Sequence, residues 1–246
     1  MNEAAQSERV LGLIPAKGGS QRLAKKNIRE LAGRSLLAWT ADSLRESAVA
    51  DRLVVSSEDP EVAQAARDIG LDVPFLRPAE LARDPAGVVD VALHALEALE
   101  AEGESFTTLV IALPTCPLRQ AADIRGAYDL FIQRARPFVM SVSEFEHTPL
   151  AALGLADDGR LEPYLPQYFG RKSQEMPAAY RPNGAVHVLD VASFRAVRSY
   201  FGDPLVGYVM PRERSFDIDT EEDLRAAELY LSASRPAAVA SPGTRG

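Results

Sequence analysis

At 246 residues, 46% hydrophobic and 25% charged, the chain can bury a sizeable core, and no apolar run nears the roughly twenty residues of a membrane span. Its 35 acidic and 27 basic side chains leave a net charge of −8, which repels polyanions and argues against nucleic acid as a partner. Met1 to Arg9 lacks the basic start and apolar stretch of a signal peptide, and one cysteine suits a reducing compartment, so the cytoplasm is the expected location.

Apolar β-rich runs alternate with amphipathic helical stretches, which predicts one α/β domain over about residues 9–232 with a mainly parallel sheet. Val10–Ile14 reads as a short strand leading into a glycine-bearing loop. Ser35 precedes a helix over Leu36–Glu46, Leu53–Ser56 is a strand, and Glu61–Ile69 is a helix closed by Gly70. Val88–Glu102, closed by Gly103, carries the apolar stripe Val89, Ala92, Leu93, Leu96 and Leu99. Thr107–Leu113 and Phe138–Val142 are strands on either side of a helix over Ala121–Arg134. From Glu144 to Pro182, prolines and aromatic residues break the pattern, which suits a lid, a subunit interface or a plain structured loop. Strands over Gly184–Leu189 and Leu205–Val209 follow. Thr220–Ser232 is a helix whose start carries a capping box, Thr220 with Asp223. Residues 235–246, rich in Pro, Ala, Gly and Ser, are expected to be a disordered tail.

Of the four lysines, Lys17, Lys25 and Lys26 cluster directly after the first strand, where open α/β sheets place ligands. Glycines in Ala16-Lys17-Gly18-Gly19-Ser20 let backbone N–H groups turn toward phosphate oxygens, and Lys17, Arg22 and Lys26 add positive charge. Neither a Walker A loop nor a dinucleotide fingerprint is present. A solvated basic surface loop would have the same composition.

Asp217-Ile218-Asp219 is the second candidate. If extended, residues two apart project to one side, so both carboxylates can address one Mg²⁺, which takes a few carboxylates plus substrate phosphate oxygens. A helix-start turn in which the acids only complement the dipole is the plainer reading. His94, His147 and His187 are too dispersed for a zinc site and suit packing or surface roles. Cys116, without a partnered histidine, is a poor nucleophile candidate. Arg181 could bind an anion or pair with a surface carboxylate.

Ile14-Pro15-Ala16-Lys17-Gly18-Gly19-Ser20 with Lys26-Asn27, then Leu76-Arg77-Pro78-Ala79-Glu80-Leu81-Ala82, Pro114-Thr115-Cys116-Pro117-Leu118-Arg119, Arg181-Pro182-Asn183-Gly184-Ala185 and Asp217-Ile218-Asp219-Thr220 occur in this order between Val10 and Tyr230. Taken together they resemble the acylneuraminate cytidylyltransferase family, which makes CMP-sialic acid and related CMP-activated acid sugars. The resemblance implies a Rossmann-like nucleotidyltransferase fold with a small inserted segment, here about 144–182, that builds a homodimer. It also implies CTP and a small acidic acceptor as substrates. Lys17, Arg22, Lys26, Asp217 and Asp219 would be catalytic, with Mg²⁺ on the two aspartates. Ala16, Gly18, Gly19, Ser20, Asn27 and Arg77 would join the nucleotide site, and Leu113, Thr115, Cys116, Arg181 and Asn183 the acceptor site. Five departures stand out. Gln21 replaces a phosphate-loop lysine, Leu113 a glutamine that touches the sugar, Cys116 a serine, and Ala151 and Ser173 a lysine and an arginine that face the sugar. A site built on hydrogen bonds discriminates strongly, so the changes at Leu113, Ala151 and Ser173 bear on the acceptor more than on the nucleotide. A small non-sugar acid such as a phosphonate is the alternative acceptor, and a non-catalytic nucleotide binder the alternative class.

Overall fold

Strand β1 (Val10–Pro15) shows how the sheet is built, because Leu11 and Leu13 enter one apolar layer while Val10 and Ile14 enter the other. The computed structural model describes residues 8–20, 22–135 and 138–234; Gln21 and the expected tail lie outside them. After β1 come a small hairpin, β2 (Glu30–Leu31) and β3 (Arg34–Ser35), and helix α1 (Leu36–Ser47). The Ser35 hydroxyl accepts the Ala38 N–H at 3.1 Å and caps α1. Strand β4 (Arg52–Ser56), helices α2 (Pro60–Asp68) and α3 (Val88–Ala101), strand β5 (Thr108–Ile111), helix α4 (Ala121–Gln133) and strand β6 (Phe138–Glu144) follow. An arm with the hairpin β7 (Leu153–Leu155) and β8 (Leu161–Pro163) precedes β9 (Tyr180–Asp190). Helix α5 (Val191–Val197), strand β10 (Leu205–Val209) and helix α6 (Glu221–Ser234) complete the order.

Six strands form one sheet in the order β10-β6-β9-β5-β1-β4. All run the same way except β9, which pairs antiparallel with both β5 and β6. One layer, with Leu37, Leu44, Val62, Ile124 and Phe131, packs α1, α2 and α4 on one face. The other, with Leu93, Leu96, Leu99 and Phe194, packs α3 and α5 on the opposite face. Both faces of the strands are therefore covered, which is why their sequences read as near-continuous apolar runs.

A third cluster, with Leu23, Leu31, Leu36, Leu118, Ile218 and Leu224, seats the start of α6 against the first loop and the β2–β3 hairpin. Residues almost two hundred positions apart in the chain are thereby held at the same end of the sheet. The reversed direction of β9 has a similar effect, since it delivers Arg181 opposite Ser143, beyond the last paired residues of β5.

Candidate active site

The ends of β1, β4 and β5 converge on one edge of the sheet, and the loops leaving them build the site. Lys26 Nζ reaches Asp219 Oδ1 at 2.6 Å and Arg22 Nη2 reaches Asp219 Oδ2 at 2.5 Å, so the basic loop and the aspartate pair meet. The fold thus joins the two candidates singled out in the sequence. Asn27 is buried, and its amide donates to the Lys17 carbonyl at 2.7 Å, which folds the loop back on itself. Lys17, Arg22, Lys26, Gly19, Ser20 and Asp219 border one open depression. Beside it, Lys17, Lys26, Asn27, Arg77, Leu113 and Thr115 line a cavity of about 210 Å³.

The loop's glycines do different things. Gly19 is exposed with open space around it. Gly18 is buried, its N–H donates to Glu58 Oε1 at 2.8 Å, and a Cβ there would collide with the Asp59 carboxylate. Its N–H is already engaged, which corrects the expectation that it faces phosphate. Ala16 is also a correction: its side chain is buried and its N–H bonds the Ser56 carbonyl at 3.0 Å, extending β1 instead of lining the loop.

Arg77 is 4% exposed. Its Nη2 donates to Glu58 Oε2 at 2.6 Å and its Nη1 to the Ser56 carbonyl at 3.3 Å. Burial lowers its pKa, and the Glu58 charge opposes that shift. Glu58 was not foreseen. In Ser57-Glu58-Asp59-Pro60 the legible signal belongs to Asp59, whose side chain accepts the Glu61 N–H at 2.8 Å and caps α2.

Ile218 is fully buried and its N–H bonds the Thr115 carbonyl at 2.8 Å, which leaves its two aspartate neighbours on the outer side. Asp217 is exposed, but neighbouring atoms, Thr115 among them, displace part of its water. Loss of water there raises its pKa, the Asp219 charge adds to the rise, and Thr115 and Lys26 oppose it. Asp223 forms the expected box, accepting from Thr220 N at 2.8 Å while its own N–H donates to Thr220 Oγ1 at 3.2 Å.

On the acceptor side the structure separates the expected residues. Leu113 and Thr115 line the 210 Å³ cavity, whereas Arg181 is exposed and borders another depression, with Phe145, His147, Arg212 and Phe216. Cys116 and Asn183 are corrections, because both are buried beneath the site. The Cys116 thiol donates to the Asn183 carbonyl at 2.7 Å, and burial, reinforced by the Asp217 charge, pushes its pKa up to about 12. It is neither a nucleophile nor a wall. Asn183 accepts from the Ser141 hydroxyl at 2.6 Å and the Ala185 N–H at 3.1 Å, and donates to Ser215 Oγ at 2.9 Å. Gly184 holds φ at +69° just after it, a conformation that glycine adopts without strain. Ala151 and Ser173 lie on exposed turns of the arm.

Arg119 supports the wall from below. It donates to the carbonyls of Leu113 at 3.1 Å and Ala185 at 2.7 Å, and to Thr40 at 2.7 Å and Ser43 at 3.2 Å. Burial lowers its pKa to about 10, which still leaves it cationic at neutral pH. Two of the three histidines pack away from the site, His94 edge-on against Phe75 and His187 buried beside Tyr200, while His147 borders the depression of Arg181.

A family model described as cytidylyltransferase matches residues 11–125, the stretch that supplies the basic loop, Arg77 and the Leu113–Thr115 wall. The chain is 28% identical over 228 residues to the pseudaminic acid cytidylyltransferase of Campylobacter jejuni strain 81-176, covering 93% of this chain and 98% of that protein. It is 29% identical over 233 residues to the CMP-N,N'-diacetyllegionaminic acid synthase of Legionella pneumophila, covering 94% and 100%. Among solved structures, CMP:2-keto-3-deoxy-manno-octonic acid synthetase complexed with CTP superposes with a TM-score of 0.68 at 13% identity, covering 93% of this chain and 100% of the other, and so shares its fold. The chain is thus similar over nearly its whole length to CTP-dependent cytidylyltransferases of nonulosonic acid sugars, with the site motifs in order.

Proposed function

We propose that the chain transfers CMP from CTP to a small acidic acceptor and releases pyrophosphate, the acceptor being a sialic-acid-like or other 2-keto-3-deoxy acid sugar. The observation that carries this reading is the convergence of Lys26 and Arg22 on Asp219 at the mouth of the cavity holding Arg77. An apolar-walled cavity with one buried guanidinium, opening on a cationic depression, matches the polarity of a nucleoside followed by its phosphates. The relatives named for pseudaminic and legionaminic acids give the acceptor class.

In this reading the acceptor oxygen attacks the α-phosphorus of CTP in line with departing pyrophosphate. Arg77 and Asn27 orient the nucleoside. Arg22 and Lys26 exchange Asp219 for phosphate oxygens and, together with Lys17, neutralise the charge that grows on the leaving group. Gly19 and Ser20 let the loop approach the phosphates. Leu113 and Thr115 form the wall shared with the acceptor, and Arg181, on the separate depression with Phe145 and Arg212, would meet only a part of the acceptor that projects away from the cavity.

Asp217 and Asp219 fit Mg²⁺, because burial and the neighbouring charge already disfavour ionised Asp217 and a cation reverses that balance. Among the described residues no group of three His, Cys, Asp or Glu side chains could hold a metal ion, so Asp217 and Asp219 would hold Mg²⁺ only together with oxygens from outside the protein, as this ion commonly accepts. When bound, such an ion supplies charge neutralisation at the phosphoryl group. The arm over about 144–182 serves as the contact with a second copy of the chain, and the single domain over 9–232 works in the cytoplasm. Among the described residues no helix is long and apolar enough to cross a membrane.

Leu113 in the cavity wall favours one further reading, the same transfer to a small non-sugar acid. Pyrophosphate release from CTP and Mg²⁺ across sialic, legionaminic, pseudaminic and 3-deoxy-octulosonic acids, small phosphonates and carboxylates tests both. Turnover with one acid sugar supports the first reading, turnover only with a small acid supports the second, and CTP binding without release from any acceptor counts against catalysis.

A further inference from the structure

The loop between β4 and α2 touches both halves of the candidate nucleotide site. Glu58 Oε1 accepts the Gly18 N–H at 2.8 Å and Oε2 accepts Arg77 Nη2 at 2.6 Å, so one carboxylate joins the phosphate loop to the cavity guanidinium. Ser57 adds a backbone bond, accepting the Arg77 N–H at 2.9 Å, and Asp59 fills the space that a side chain at position 18 would need. Both partners depend on Glu58. Arg77 is 4% exposed and Glu58 is its ion-pair partner there, so without this carboxylate a buried cation stands uncompensated. Gly18, without a side chain, has its backbone N–H held by the same carboxylate.

We infer that Glu58 is a positioning residue that couples base recognition to phosphate binding by holding Arg77 and the Gly18 turn in one rigid clasp. The inference rests on the nucleotide reading above and deepens it. A clasp of this kind has a consequence that a purely structural contact lacks: weakening it degrades recognition at both ends together. Two ligands that each sample one end make this measurable, namely inorganic tripolyphosphate for the loop, and the preference for CTP over UTP for the cavity.

The test uses the full chain with Glu58→Gln and Glu58→Ala, titrated calorimetrically with CTP, UTP and tripolyphosphate beside thermal melts. The amide of Glu58→Gln keeps the shape and one acceptor oxygen, but its NH₂ opposes one of the two donors and the counter-charge is gone. The expected result is a fall in CTP affinity on the order of tenfold for the glutamine variant. Weaker tripolyphosphate binding and a narrowed CTP preference accompany it, and the alanine variant loses more of each. The double variant Glu58→Ala with Arg77→Ala is expected to retain the loss of tripolyphosphate affinity while adding little to the loss of CTP preference. A lowered melting temperature with both recognition readouts unchanged overturns the inference, as does loss at one end only. Wild-type chain is titrated first: failure to bind CTP overturns the nucleotide reading itself, whereas tight CTP binding that Glu58→Gln leaves untouched overturns only the clasp.

Discussion

The nucleotide side and the arm are built on opposite plans. Around the cavity, Asn27, Arg77, Arg119 and Asn183 are each 5% exposed or less, and each holds at least one named partner inside the protein, the Arg77 Nε alone among the guanidinium nitrogens of Arg77 being left without one among the described residues. Along the arm, Leu155, Leu161, Tyr164 and Phe169 are each more than 60% exposed. Buried polar groups that are satisfied in the free protein fix a shape before the ligand arrives, at the cost of tolerating few substitutions. Large exposed apolar side chains on one segment instead mark a surface completed by something else. On the proposed reading, the contrast sets a nucleotide side whose shape is fixed within the chain against an arm whose apolar side chains face outward.

The sharpest way to break the comparison is at the aspartate pair. Asp217→Ala and Asp219→Ala are expected to lower pyrophosphate release by about a thousandfold or more, a size typical of groups that stabilise transition-state charge. Melting temperature should move little, since neither carboxylate lies in the apolar clusters. Undiminished turnover would remove both residues from the chemistry. Chelation with EDTA should silence the wild type, and added Mg²⁺ should restore it.

Next in size is Arg119→Met. Removing this guanidinium strips the Leu113 and Ala185 carbonyls and the Thr40 and Ser43 hydroxyls of a donor. Leaving such groups unpaired costs about 3 kcal/mol, or roughly 6 to 12 °C in melting temperature for a chain of this size. A smaller fall in a thermal melt would mean that water reaches the site and the wall is less rigid than its bonds imply.

Much of this plan was legible in the sequence, and the gaps have physical causes. Short apolar β-rich runs marked all six strands of the main sheet, and period-3.6 patterns five of its six helices. Pattern carries no strand direction, however, so the reversal of β9 could not be read. Helix α5 is only seven residues long, and the two arm strands have three each, too short for a periodic signal. At the site, charged and glycine-rich residues announced themselves, and the fold brought Lys26, Arg22 and Asp219 together. Cys116 and Asn183 were misplaced because a motif residue reads the same whether it faces the ligand or supports the residue that does. Glu58 was missed because its partners, Gly18 and Arg77, lie 40 and 19 positions away.

A smaller effect tests the rigidity of the central sheet. His187 is buried among β5, β6 and β9, and burial lowers its pKa from the ordinary 6.5 to about 4. The unfolded chain therefore takes up this proton first on acidification. Stability should be undiminished by this group above pH 6.5, fall as pH drops toward 4, and lose nothing further from it below that value. The contribution at pH 5 is about 2 kcal/mol. Urea unfolding of wild type and His187→Leu at pH 7 and pH 5 checks the sign: the variant should show the shallower acid loss, and parallel losses would assign the acid sensitivity elsewhere.

The smallest effect on the chain itself belongs to the arm. Leu155→Asp combined with Phe169→Asp replaces two exposed apolar side chains, so the stability of a single copy should change by no more than about 0.5 kcal/mol for each. If the arm docks on a second copy, light scattering after size exclusion should instead shift from dimer to monomer. CTP affinity should be preserved, because the buried network around Arg77 and Arg119 shares no residue with the altered surface. A dimer that survives both substitutions would place the interface elsewhere on the molecule. A monomer that also lost CTP would show that nucleotide recognition depends on the second copy, and the division between a self-contained nucleotide side and an incomplete arm would fail.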